Sequence, residues 1–204
     1  MGKGPCQDNP QSRGVMFRKI PVFDLIVIAL LAALGTASKV LIGVPVRILT
    51  SSLGIPGGAV AGGIYMLWLP LTVGITRRKG SATLMALVQA FLIFIGSLPG
   101  SHGVMSFATY VPPGIACDIV FLFSRKGNYN VLHYMLGAAF ANMAGTIGSN
   151  LLFFFLPLIP LTLALSGAAL SGALGGVVAY SVMVRIEKSG LVKAGKDIKV
   201  KNEK

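Results

Sequence analysis

Apolar stretches of membrane-spanning length alternate along this chain with short polar or proline- and glycine-rich breaks. The stretch from Val131 to Leu156 contains no acid, lysine or arginine. At ~1.5 Å per residue it is long enough to cross a ~30 Å hydrocarbon core. Within it Asn142, Thr146, Ser149 and Asn150 recur at three- and four-residue steps, which stacks them on one helical face. Gly137, Ala141, Gly145 and Ser149 form a second row, with the small-xxx-small spacing that lets helix backbones approach closely in lipid. Lipid offers asparagine no partner, so the pattern predicts a helix packed among others with its polar stripe turned inward.

The same reading gives five further spans, at about 22–43, 58–76, 81–98, 104–124 and 161–186. Pro157 and Pro160 separate the stretch 131–156 from the last of them. The expected fold is all-α, a six-transmembrane-helix bundle over 22–186, with a tail at 1–21 and a basic tail at 187–204. The longest expected connection, 44–57, lies between spans one and two, with Arg47 as its single charge. Span four holds Pro112-Pro113, which removes two amide donors and predicts a distorted outer half. No convincing internal repeat is present, which argues against an inverted-repeat transporter.

Composition sharpens the class. The chain is 54% hydrophobic and only 12% charged, with a mean hydropathy of +0.77; a soluble domain carries roughly 25% charged residues. This is an integral membrane protein. The net charge of +12 would suit nucleic acid, but all of the 18 lysines and arginines except Lys39 and Arg47 lie in tails and short loops. That is a topology signal. The basic runs Arg77-Arg78-Lys79, Arg125-Lys126 and the C-terminal end follow spans two, four and six, so both termini are expected in the cytoplasm. Cys6 in a basic tail and Cys117 in an apolar span imply no disulfide framework.

Candidate chemistry gathers in the outer half of the bundle. Tyr65 and Trp68 share a face and serve either as packing residues or as a stacking wall for a flat ligand. Gln89 either bonds a neighbouring helix or lines a polar pocket. Tyr110, Asn142, Thr146 and Asn150 lie at similar depth, with Arg47, Ser101 and His102 above them. Lys39 is near the outer end of span one, placed to snorkel to the headgroups. Asp118 is the deep acid; it is either functional or paired structurally with His133 or a backbone amide. Ala29, Ala33 and Ala37 make a small-residue face, for packing within the bundle or for docking another membrane protein. Neither a metal-ligand cluster nor a nucleophile–base–acid set is present, so no catalytic residue and no metal site is expected. The chain is read as a non-enzyme. A self-sufficient proton-coupled carrier working through Asp118 is the alternative.

At this point the chain resembles the substrate-binding S component of an energy-coupling factor (ECF) transporter over most of 22–186. The resemblance rests on six spans, the Ala29/Ala33/Ala37 face, the long first outer connection and three runs: Ile64-Tyr65-Met66-Leu67-Trp68, Arg77-Arg78-Lys79-Gly80 and Gly114-Ile115-Ala116-Cys117-Asp118-Ile119-Val120-Phe121-Leu122. These runs are similar to the hydroxymethylpyrimidine/thiamin type, loosely described as a cobalt-type permease. The resemblance implies a multi-pass protein of a prokaryotic plasma membrane that captures a vitamin or precursor from outside, with residues 44–57 as lid. It implies docking through Ala29, Ala33 and Ala37 on a transmembrane T component driven by two ATPase subunits. ATP is then used by those partners, and this chain carries no cofactor. The lack of acids between Asp24 and Asp118, and between Asp118 and Glu187, favours a neutral or anionic ring compound over a permanent cation such as thiamin.

Overall fold

The structure, a computed structural model, describes residues 21–51, 57–96, 103–124 and 129–190, without the side chains of Val44, Arg47 and Ser51. Among these residues it is all helical: α1 (Val22–Ser51), α2 (Gly57–Met66), α3 (Trp68–Thr76), α4 (Ser81–Gly96), α5 (Met105–Leu122), α6 (Val131–Ser149) and α7 (Leu158–Lys188). A π turn at Asn150–Phe154 leads out of α6. Segments 22–43, 57–76, 105–122 and 158–188 are long and apolar enough to cross a membrane, and α4 is a shorter apolar helix. Leucine, isoleucine and phenylalanine side chains such as Leu30, Leu41, Phe91, Phe140, Leu170 and Leu174 are exposed around the bundle. An apolar belt of this kind suits lipid rather than water.

Three elements depart from the sequence expectation. Helix α1 does not end near residue 43 but runs through Pro45 to Ser51. Most of the expected connection is therefore helical, and residues 52–56 lie outside the described set. The span 58–76 is broken at Leu67 into α2 and α3. Pro70 explains the break, because its ring displaces the carbonyl four residues back, at Met66. Helix α5, by contrast, is continuous through Pro112 and Pro113. The Ala108 carbonyl that Pro112 leaves without its helical donor lies beside Gly148 of α6.

The α2–α3 segment is central and touches α1, α4, α5, α6 and α7. Close approach at its crossing with α7 depends on Gly63 and Gly175, since a Cβ on either would overlap the backbone of the other helix. Ser171 bridges the same crossing: its hydroxyl donates to Val60 O at 2.6 Å and accepts from Gly63 N at 2.8 Å. On the other edge of α7, Ala168, Gly172 and Gly176 seat α6, with Gly172 against Ala138–Ala139 and Gly176 against Tyr134–Met135. The Gly137/Ala141/Gly145 row of α6 turns instead toward α5 and α2, where Gly137 meets Phe121 and Gly145 meets Met66 and Pro113.

The end of the bundle carrying Arg77 and Arg78 is densely packed. Leu31, Leu71, Val73, Met85, Phe121, Tyr134 and Met183 form the main apolar core. Ionic staples close this end. Arg78 Nε donates to Asp24 Oδ2 at 2.6 Å, and Arg77 pairs with Glu187 in the last turn of α7. Asp118, 7% exposed, accepts from Ala82 N and Thr83 N at 3.3 and 2.7 Å and from the Thr83 hydroxyl at 2.6 Å. Its carboxylate thus caps the N-terminus of α4, where the helix dipole favours negative charge. His133 is occupied elsewhere, accepting from Asn130 N through Nδ1 in a capping box that starts α6.

Candidate functional site

The opposite half of the bundle holds a half-open cavity of about 280 Å³. Each surrounding helix contributes through its inward stripe. Helix α1 supplies Lys39, Val40 and Gly43; α2 supplies Gly57, Gly58, Ala59, Tyr65 and Met66; α4 supplies Gln89. Helix α5 adds Thr109, Tyr110 and Pro113, and α6 adds Asn142, Gly145, Thr146 and Ser149, with Phe153 and Phe154 from the π turn.

Of the residues singled out in the sequence, Tyr65, Gln89, Tyr110, Asn142 and Thr146 thus come together around one void. Asn142 is 2% exposed and holds three helices in register: its Nδ2 donates to Ala168 O of α7 at 2.8 Å and to Ala59 O of α2 at 3.3 Å. Gly62 makes room for it, because a Cβ there would overlap the carboxamide. Thr146 donates back to Asn142 O at 2.9 Å, an i−4 bond that leaves the hydroxyl oxygen free to accept.

Two of the predicted residues lie elsewhere. Asn150 does not line the cavity: its Oδ1 accepts from Leu156 N at 2.8 Å and closes the π turn. Trp68 also falls outside the lining. Its ring packs toward Gly35, and its Nε1 is buried without a hydrogen-bond partner. The Arg47 side chain and His102 lie outside the described residues.

Lys39 departs from the sequence expectation. It does not snorkel outward. Its Nζ donates to Gln89 Oε1 at 3.2 Å and sits 3.9 Å from the centroid of the Tyr110 ring, a cation–π arrangement. The signal is present in α1, where the buried Ile28, Ala32 and Gly35 and the half-buried Lys39 recur at helical spacing on its inward stripe. Gly35 completes the arrangement: a Cβ there would overlap Gln89 Nε2, so the glycine lets the carboxamide lie against α1 one turn from Lys39.

A different stripe of α1 faces outward. Ala29, Ala33 and Ala37 are all exposed. Ala33 and Ala37, with Thr36, Val40, Leu41 and Leu92 of α4, border a shallow apolar groove of about 490 Å³.

Fold and cavity together describe a helical membrane protein built around a small internal site. The family described as "ABC-type cobalt transport system, permease component" matches residues 23–144, and the chain belongs to it. A solved structure described as "Crystal structure of an S-component of ECF transporter" superposes with a TM-score of 0.74 at 19% identity, covering 90% of this chain and 95% of that one. The fold is therefore that of an ECF S component. No curated protein matches the sequence.

Proposed function

We propose that this chain is the membrane-embedded substrate-binding subunit of an ECF-type importer in a prokaryotic plasma membrane, with six spans and both termini in the cytoplasm. The observation that carries the reading is the half-open cavity into which five helices bring polar side chains. A structural scaffold in lipid gains nothing from such a void, whereas a ligand site needs one. Its volume suits a compact ring compound of vitamin or vitamin-precursor size, neutral or anionic, with Tyr65 and Tyr110 as the aromatic walls. The continuation of α1 from Val44 to Ser51, past the residues that line the cavity, supports a role for this segment in covering it.

The exposed Ala29/Ala33/Ala37 face supports docking on a T component energised by two ATPase subunits. Small side chains there leave the helix backbone open to close approach by a partner helix. The capping role of Asp118, at the packed end away from the cavity, weighs against a proton-coupled carrier built on that acid. The experiment is Ala33→Leu, expressed with candidate T and ATPase subunits. Uptake and copurification of the partners are expected to fall to background, while ligand-induced thermal stabilisation of the purified chain stays within twofold of wild type. Loss of ligand binding in this variant would assign the face to internal packing. Proton-driven uptake by the isolated chain in liposomes would replace the importer subunit with a carrier.

A further inference from the structure

The cavity lining is chemically one-sided. Among the described residues its one charged side chain is Lys39, and no Asp, Glu, His or Cys lines it. The ammonium carries three donor hydrogens. Its contacts among those residues are Gln89 Oε1 and the Tyr110 ring. The described acids are committed elsewhere: Asp24 to Arg78, Glu187 to Arg77 and Asp118 to the start of α4. A second idle donor lies beside it. Gln89 is 3% exposed, and its Nε2 has no hydrogen-bond partner. A buried donor without a partner and a part-buried cation without an acid are both costly, and each calls for an explanation.

We infer that the cavity selects a small ring compound bearing a carboxylate or comparable anionic group, and that Lys39 sets the sign of the charge accepted. The inference rests on the solute-capture reading and adds the ligand's charge to it. An anionic oxygen supplies the acceptor that Lys39 lacks, in a charge-assisted hydrogen bond. Gln89 positions the ammonium through its Oε1, and Gly35 leaves room for the Gln89 carboxamide. A divalent metal cation, the cargo that the family description names, would meet a like charge here and no carboxylate, imidazole or thiolate ligand.

The test uses the purified full chain in detergent with two matched series: nicotinate, nicotinamide and 3-(aminomethyl)pyridine, and benzoate, benzamide and benzylamine, alongside Co²⁺. Thermal shift and calorimetry give affinities for wild type, Lys39→Met and Lys39→Arg. At least one acid is expected to bind, its amide at least tenfold more weakly, and the amines and Co²⁺ not at all. Lys39→Met should weaken the acid at least tenfold, as loss of a charged hydrogen bond implies, with Lys39→Arg retaining most of the affinity. A readout without ligand accompanies this. Removal of an unpaired cation by Lys39→Met should raise the melting temperature of the empty protein by about 2–4 °C. Preference for an amine or Co²⁺, an acid preference that survives Lys39→Met, or a fall in melting temperature in both variants would overturn the inference. If no acid binds, it also fails. A wider panel of vitamins and precursors then separates the two readings: binding of a neutral or cationic compound overturns charge selection alone, and no binding at all overturns solute capture with it.

Discussion

Asp118 illustrates how one residue type carries different meanings at different depths. An acid inside a membrane span is a functional candidate on energetic grounds. Here its oxygens meet two backbone amides and a hydroxyl at the start of α4, and the charge is consumed in capping that helix. Asp118→Ala should therefore cost about 1–3 kcal/mol, the penalty for leaving buried donors unsatisfied, while Asp118→Asn recovers part of it. Uptake by Asp118→Asn should persist, and abolished uptake in a well-folded Asp118→Asn protein would return the acid to a transport role. Lys39 is the converse case. Near the end of a span its charge was expected to reach the headgroups, but position on the helix circumference decided otherwise. It is half-buried on the inward stripe that also carries Ile28 and Ala32, so Gln89 and Tyr110 are its nearest polar surroundings.

Among the elements, α7 is the seat of the bundle. One row of small residues accepts α6 and an adjacent row accepts α2, so the helix is pinned from two sides. Gly175→Val should destabilise by about 1–3 kcal/mol, the usual cost of overpacking, because its side chain would enter the backbone of Gly63. Gly167→Ala is the control: nothing lies within 4 Å of its added Cβ. Its melting temperature should hold or rise, given alanine's higher helix propensity. Equal losses in the two variants would show that helix propensity rather than the α2–α7 crossing is at stake. Helix α6 shows how a correct stripe can divide by role. Asn142 and Thr146 face the cavity, whereas Asn150, one turn on, is spent closing a π turn. Spacing places all three on one face, but the Asn150 carboxamide is turned to the Leu156 amide that follows the π turn.

At the scale of the whole molecule, the bundle has a packed, ion-paired end and a hollow end. The proposed orientation puts the former, with Arg77 and Arg78, in the cytoplasm. In a protein without its native cysteines, Lys79→Cys should react with a membrane-impermeant maleimide only after permeabilisation, and Gly103→Cys should react in intact cells. The reverse pattern would invert the molecule. By itself the sequence determined the membrane class, the all-helical architecture, and the polar and small-residue rows, because these follow from residue solubility and from 3.6-residue periodicity. Only the tertiary structure decided how each helix is rotated about its axis and where it bends. That put Lys39 into the cavity lining and Trp68 outside it, left Ala29, Ala33 and Ala37 uncovered, and carried α1 on to Ser51. The reason is that such choices depend on contacts between residues distant in the chain, such as Gly63 with Gly175 and Gln89 with Gly35, which no local pattern records.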